Sequence, residues 1–436
     1  MVNVLLVGGG GREHALAWKL RQSPRLGELF LSDASNPGLA PLGKAVDVPV
    51  DVKQAYRIQR FCEKNNVGLV IIGPEEPLAA GMADILIAPG RVVIGPTAAG
   101  ARLEADKAWC KQLIRGASVP MGEGRNFSDY SAAKAYVETR EDPPVIKASG
   151  LAKGKGVVVP ESIPEALKAL ERIMVKLEFG EAGRTVVVEE RLEGREVSVL
   201  ALTDGRTLYV LEPCQDHKRL KDNDAGPNTG GMGVVCPGGM TDELVLQTIE
   251  SQILVPTLDA VRREGIDFRG VLYAGIMLTP AGPKVLEFNC RFGDPECQAL
   301  MMRFDSDLID VLMAVGYGGT RKLDETDIRW SPAASCCVVL ASAGYPGKPR
   351  TGIPISGLEE AAKVPGVQVF HSGTRRGEGG QIVTAGGRVL SVSANGETPA
   401  EARSRAYLAA DMIRFEGKQM RTDIGLAAFP EAQVAR

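Results

Sequence analysis

Short apolar runs alternate with helical periodicities along the first hundred residues of the chain. Residues 2–7 read as a buried strand, and further strands are predicted over 29–32, 67–72 and 92–94. Helical spacing fills the intervals near 12–22, 52–65 and 77–87. Strands that alternate with helices predict a parallel sheet covered on both faces. Residues 97–117 then read as one long helix with Leu103, Trp109, Leu113 and Ile114 as its apolar members and Pro120 beyond its end.

A smaller unit follows over about 118–190, with a helix at 128–139, strands at 145–148, 156–159 and 185–189, and a helix at 164–176. Strands at 196–202 and 208–211 lead into a polar loop rich in glycine and asparagine. A long helix (241–264) and two strands (271–279 and 283–289) come next. The tail carries strands at 336–341, 367–371 and 389–394 and a helix over 399–413. Thr398-Pro-Ala-Glu401 opens that helix with a threonine cap, a proline in the first turn and a glutamate three residues on. The pattern divides the chain into 1–100, 101–325 with the 118–190 unit inserted, and 326–436.

Length agrees, since 436 residues at about 150 per domain give about three domains. Apolar residues make up 44% and charged residues 24%, which excludes a disordered chain. Lysine and arginine total 51 against 54 acids, so the net charge of −3 supplies no basic field for nucleic acid or an acidic membrane. Eight cysteines form no Cys-x-x-Cys pair, which predicts a reduced, cytoplasmic protein. Neither a signal peptide nor an apolar stretch of membrane-spanning length is expected.

Candidate chemistry begins with Gly8–Gly11, placed between a predicted strand and helix. Glycines allow close backbone approach, and a helix N-terminus favours anions. The loop resembles a dinucleotide fingerprint, with Asp33 near the ribose-binding position, yet no frame of Gly-x-Gly-x-x-Gly closes. A phosphate-bearing substrate held by the loop amides and Arg12 is one reading; a tight turn without ligand is the other. The second loop, Ser149-Gly-Leu-Ala-Lys-Gly-Lys-Gly156, is not a Walker loop. It suits a flap over polyphosphate, with Lys147 adding charge from the preceding strand, or else a solvated loop.

Residues two apart on a strand share a face, so Glu287 and Asn289 point together and Arg291 repeats their parity. An all-oxygen pair without histidine suits Mg²⁺, which takes one or two side chains plus phosphate oxygens and water. Arg291 suits a carboxylate or a transferring phosphoryl group. An ordinary polar strand face is the alternative. No nucleophile competes: the chain has three histidines and no Gly-x-Ser-x-Gly elbow, and the adjacent Cys336 and Cys337 read as core.

Taken in order, Val7-Gly-Gly-Gly-Gly-Arg-Glu-His14, Gly73-Pro-Glu-Glu-Pro-Leu78, Glu104-Ala-Asp-Lys107, Gln215-Asp-His-Lys-Arg219, Gly226-Pro-Asn-Thr-Gly-Gly-Met-Gly233 and Glu287-Phe-Asn-Cys-Arg-Phe-Gly-Asp-Pro-Glu296 resemble the glycinamide ribonucleotide synthetase family of the ATP-grasp superfamily. The resemblance implies an α/β fold with a Rossmann-like N-terminal domain that binds substrate, ATP-grasp central and lid domains, and a small C-terminal α/β domain. It also implies ATP, with Mg²⁺ or Mn²⁺, and ligation of glycine to 5-phosphoribosylamine through glycyl phosphate in purine biosynthesis, by a monomer. Carried over by position, Lys107 and Lys147 would hold the ATP phosphates under a lid that includes Gly150, Lys153, Gly154 and Gly156. Val188-Glu-Glu-Arg-Leu192 resembles the adenine-reading hinge, where Glu189, the Glu190 carbonyl and the Leu192 amide would act, and Glu196 would bind the ribose. Glu287 and Asn289 resemble the metal ligands. Gly10, Gly11, Arg12, Glu75, Asn228, Thr229 and Gly230 would bind substrate, and Asp216, Lys218, Arg291 and Asp294 would surround the reacting centre. His217 would touch the site or only brace its loop. A different ATP-grasp carboxylate–amine ligase, a nicotinamide-dependent oxidoreductase and a nucleotide-sensing binding protein remain the alternatives.

Overall fold

The computed structural model describes residues 1–152, 154–239 and 242–426. Its first sheet is parallel, in the order Lys44–Ala45, Leu26–Leu31, Val2–Val7, Val67–Ile72 and Val92–Ile94. Leu5, Leu6, Leu69 and Val70 are fully enclosed, as a sheet packed on both faces requires. The chain leaves Val2–Val7 toward one neighbour and returns on its other side. The glycine loop therefore lies at the carboxyl end of the central strand, where open α/β sheets hold ligands.

The helix expected over 97–117 is two helices, Ala98–Ala105 and Lys107–Gly116. Asp106 breaks the run by taking a non-helical φ of −139°. Its carboxylate accepts from the Trp109 amide at 3.1 Å and the Ser149 hydroxyl at 3.0 Å, so the aspartate caps a new helix instead of continuing the old one. The Lys107 amide turns to the Ser149 carbonyl at 2.9 Å, which ties the second helix to the lid.

The lid sheet runs Gly124–Phe127, Val186–Glu189, Val145–Ala148, Val157–Val158, and the central sheet Leu208–Val210, Arg195–Thr203, Gly270–Thr279, Gly282–Asn289. The helix expected over 241–264 is present from Glu243 to Arg263 with a wide turn at Glu250–Leu254; Thr241 lies outside the described residues. Pro256, in the first turn after it, has no amide to donate, and the wide turn accommodates that loss.

The third sheet joins distant parts of the chain. Gln215–Asp216 pairs with Gly233–Cys236, both within the expected glycine-rich loop, and Gly233–Cys236 pairs onto Ala334–Ala341, followed by Arg388–Gly396 and Val367–His371. Helix Glu296–Arg303, unmarked in the sequence pattern, packs between this sheet and helix Gly11–Leu20. No helix among the described residues is long and apolar enough to cross a membrane.

Candidate active site

Lys147 bridges two sheets: its Nζ lies 3.0 Å from Glu189 Oε2 on the lid and donates to the Leu286 carbonyl of the central sheet at 3.0 Å. Burial works against its charge, but Glu189 and Glu287 outweigh it and hold the ammonium above the usual lysine value. The other Glu189 oxygen accepts from Lys111 at 2.7 Å. Lys111 is a buried cation that sequence reasoning missed; it stands one helical turn after Lys107, and that spacing was the available signal. Glu189, 2% exposed, thus orients two lysines instead of facing the cleft.

Lys107 is half-buried. Glu190 ties its side chain to Lys284 at 3.1 Å. Its carbonyl and the Leu192 amide enter no hydrogen bond among the described residues, which leaves both backbone groups open. Gly150 donates its amide to the Ala182 carbonyl at 3.1 Å, and Gly156 accepts from the Ala148 amide at 2.8 Å, so both ends of the lid loop are anchored. Gly154 stands between them at φ +74°, with open space around it. Lys153 lies outside the described residues.

On the central sheet, Glu287 faces Gly275 and Asn289 faces Tyr273. Burial works against the Glu287 charge, but Lys218, Lys107, Lys147 and Arg291 outweigh it and hold its carboxyl below the usual range. Four cations from four parts of the chain therefore converge on one carboxylate. Among the described residues no group of three or more histidine, cysteine or acidic side chains could hold a metal. One carboxylate and one amide oxygen fit a divalent ion that draws its other ligands from phosphate and water. Arg291 Nη2 lies 3.3 Å from Asn289 Oδ1 and 2.8 Å from Glu104 Oε1, while Nε lies 3.3 Å from Glu75. Glu104, also missed, accepts the Cys290 amide at 2.8 Å; burial lifts its carboxyl above the usual value in spite of Arg291. Burial raises Glu75, but Arg291 and Arg12 overcome that and lower it.

Beyond Arg291 lies a second polar cluster. Lys218 Nζ sits 3.3 Å from Asp216, 3.5 Å from Glu196 and 3.3 Å from the Tyr273 hydroxyl. Tyr273 in turn donates to Glu296 at 2.5 Å, and its oxygen lies 2.8 Å from the Ser198 hydroxyl. Burial pushes Asp216 up to about 7 despite Lys218. Both Asp216 oxygens are enclosed and lack a hydrogen-bond partner among the described residues, so the structure places this carboxylate behind Lys218. Thr229 closes the loop base by donating its amide and hydroxyl to the Lys218 carbonyl at 2.8 and 2.7 Å. Asn228 is half-buried, and the Gly230 amide donates to the Tyr345 hydroxyl at 2.9 Å. His217 braces the loop through the Gly233 carbonyl at 3.3 Å, and burial lowers its pKa.

The glycine loop is filled by the protein's own groups. Glu13 accepts the Gly10 amide at 2.7 Å, and a Cβ on Gly9 would lie 2.4 Å from Asp33. A Cβ on Gly11 would meet the Ser372 hydroxyl at 2.3 Å. Arg12 is buried: its Nε donates to Glu13 at 2.7 Å and its Nη1 to the Phe292 carbonyl at 3.0 Å. Its amide donates to Asp294 Oδ2 at 3.3 Å. Burial raises Asp294, but Arg388 and Arg12 hold it below the usual range. Carboxylates thus occupy the helix N-terminus at which a phosphate was expected, and Arg12 braces the loop.

The phosphoribosylglycinamide synthetase N domain matches residues 2–104, its ATP-grasp (A) domain 105–297 and its C domain 335–427. The phosphoribosylamine–glycine ligase of Rhodopirellula baltica is 48% identical over 99% of this chain and 99% of its own length. The chloroplastic phosphoribosylamine–glycine ligase of Arabidopsis thaliana is 46% identical, over 97% of this chain and 80% of its own. The crystal structure of phosphoribosylamine–glycine ligase from Thermotoga maritima superposes with a TM-score of 0.82 at 31% identity, covering 97% of this chain and 100% of that one.

Proposed function

This chain belongs to the phosphoribosylglycinamide synthetase family, and from that membership we infer an ATP-dependent ligase that joins glycine to 5-phosphoribosylamine, giving glycinamide ribonucleotide, ADP and phosphate in purine biosynthesis. The observation that carries the reading is that Lys147, Lys218 and Arg291 reach the Leu286 carbonyl, the Tyr273 hydroxyl and Asn289, all beside Glu287 at one end of the central sheet.

Lys107 and Lys147 bind the polyphosphate between the lid and central sheets, and the open Glu190 carbonyl and Leu192 amide read the adenine edge. Glu189 and Lys111 fix the direction of Lys147. Glu287 and Asn289 would hold Mg²⁺ or Mn²⁺, which would supply charge neutralisation to the phosphates. Arg291 sits beside them, where it orients the glycine carboxylate for attack on γ-phosphorus and stabilises the charge that develops. That attack forms the P–O bond of glycyl phosphate and releases ADP. The phosphoribosylamine nitrogen then attacks the activated carbonyl carbon, phosphate leaves, and the nitrogen loses a proton. Lys218, aimed by Tyr273 and Glu196, lies where it meets the departing phosphate. Asn228, Thr229, Gly230 and Asp294 lie on the acceptor side. Closing the Gly150–Gly156 loop excludes water that would hydrolyse the acyl phosphate.

The test is ADP release with phosphoribosylamine generated in place from ribose 5-phosphate and ammonia, omitting glycine, the sugar phosphate or the metal in turn. Turnover that requires all three, with glycinamide ribonucleotide identified by mass, is the expected result. ATP consumption with a different acid or amine overturns the substrate assignment.

A further inference from the structure

The hairpin Arg219–Lys221/Ala225–Asn228 stands apart from the other sheets as a two-stranded ribbon, with Arg219 opposite Asn228 and Lys221 opposite Ala225. Its tip turns through Asn223 and Asp224 at φ 57° and 50°, a left-handed pair that asparagine and aspartate tolerate but do not favour. An isolated two-stranded hairpin is marginal in water, so something else must hold it.

Residues 421–424 supply the support. Arg421, 1% exposed, grips Asp423 with two nitrogens at 2.7 Å each and reaches Asp224 at 2.7 Å and the Arg219 carbonyl at 3.2 Å. Asp423 accepts the Asn223 amide at 2.8 Å. Thr422 donates its amide and hydroxyl to Asp222 at 2.7 and 2.6 Å. The segment is itself anchored, because Tyr407 on the helix Pro399–Met412 donates to the Arg421 carbonyl at 2.9 Å and accepts the Ile424 amide at 3.1 Å. Every turn residue of the hairpin, 222 to 224, is thereby bonded to a segment some 200 positions away in sequence. Three residues on one strand and four on the other make a lever of about 10 Å from this tip to the base, where Thr229 closes on Lys218.

We propose that residues 421–424 clamp the tip of this hairpin so that Lys218, Asn228 and Thr229 at its base are held for catalysis, which makes Arg421 a positioning residue of the ligase. The proposal rests on the placement given above, Lys218 at the departing phosphate and Asn228 and Thr229 on the acceptor side.

Kinetics of Arg421→Met, Arg421→Lys and Asp222→Asn, with amide hydrogen exchange over 219–228, test it. Loosening the clamp should speed exchange in the hairpin and lower kcat/KM for glycine and phosphoribosylamine about ten- to a hundredfold, the scale of a small misplacement of reacting groups. KM for ATP, whose other contacts lie on the lid and hinge, should change less than the values for glycine and phosphoribosylamine, and Arg421→Lys should recover part of the loss seen with Arg421→Met. If Arg421→Met does not fold, Asp222→Asn carries the test from a partly exposed position. Faster exchange with unchanged kcat/KM overturns the proposal, as does an equal loss for all three substrates. Lys218→Met separates the two claims. Unchanged kinetics in that variant overturns the placement of Lys218 at the departing phosphate; a damaged Lys218→Met beside undamaged clamp variants overturns the clamp alone.

Discussion

Replacing Arg291 with methionine removes a charge while keeping most of the side-chain volume, and under the proposed function that charge has two separable duties. One is structural: Arg291 pairs with Glu104 at 2.8 Å and Glu75 at 3.3 Å. Breaking a buried pair from one side costs about 3–5 kcal/mol, because the partner charge is left without compensation. Glu104 softens that cost by taking a proton, since burial already raises its pKa. A carboxyl raised in the folded state binds more protons there than in the unfolded chain. Stability then falls as pH rises through the window between the two values. The deficit of Arg291→Met against the parent should therefore be smallest under mildly acidic conditions and grow toward neutral and alkaline pH. The second duty is catalytic. Losing one charge-stabilising donor at a reacting centre costs about 3–4 kcal/mol, a fall of roughly 100- to 1000-fold in kcat/KM. ADP release measured below the variant's melting transition, beside melting curves across the pH range, reads the two duties separately. A variant that melts early yet retains kcat/KM within about threefold of the parent refutes the catalytic assignment and leaves Arg291 as a brace.

Glu287→Gln should raise the Mg²⁺ concentration for half-maximal turnover about tenfold or more, read by metal titration of ADP release; an unchanged midpoint removes Glu287 from the metal site. Asp216, held near 7 in the fold against about 3.9 in an unfolded chain, costs stability as pH rises through that interval. Asp216→Asn should flatten this slope in urea midpoints, and an identical slope in both proteins contradicts it. Burial, with a smaller contribution from His371, pushes His14 down to about 3, and burial pushes His371 down to about 4. Unfolded histidine binds protons near 6.5, so stability should be lost as pH falls from there toward 4. His14→Gln should make that loss shallower; a steeper loss would mean that another group controls acid unfolding.

Four strands of the first sheet were legible because each is a short, mainly apolar run between turn residues, unlike Lys44–Ala45, and Glu287 and Asn289 because strand parity alone puts them on one face. The break at Asp106 was not. Its apolar spacing continues through the break, and the cause is the hydroxyl of Ser149, 43 residues on. Gly233–Cys236 was hidden for a related reason, as its pairing partner begins at Ala334 and no local periodicity announces a four-residue strand. At the site, the cations were visible as residue types while their satisfaction was not. Arg12 looked free in sequence and is consumed by Glu13 and Phe292; Lys111, not singled out in the sequence, is buried against Glu189.

The mixed parentage of the third sheet has a consequence for how the enzyme is made. Val234 pairs with Cys337, and Cys337 with Ser393, so this sheet closes only after chain segments about 100 and 160 residues apart meet. Loop closure over such separations is slow beside the local contacts of the first sheet. During synthesis the N-terminal sheet has all its strands by residue 94, whereas Gly233–Cys236 emerges with an open edge and waits for partners still to be translated. That edge, apolar and unpaired, is where a nascent or truncated chain is most exposed to association with its own copies. The residues that line the cleft and the cover for this edge thus arrive at different times along the ribosome's path, the second only when the last strands have been delivered.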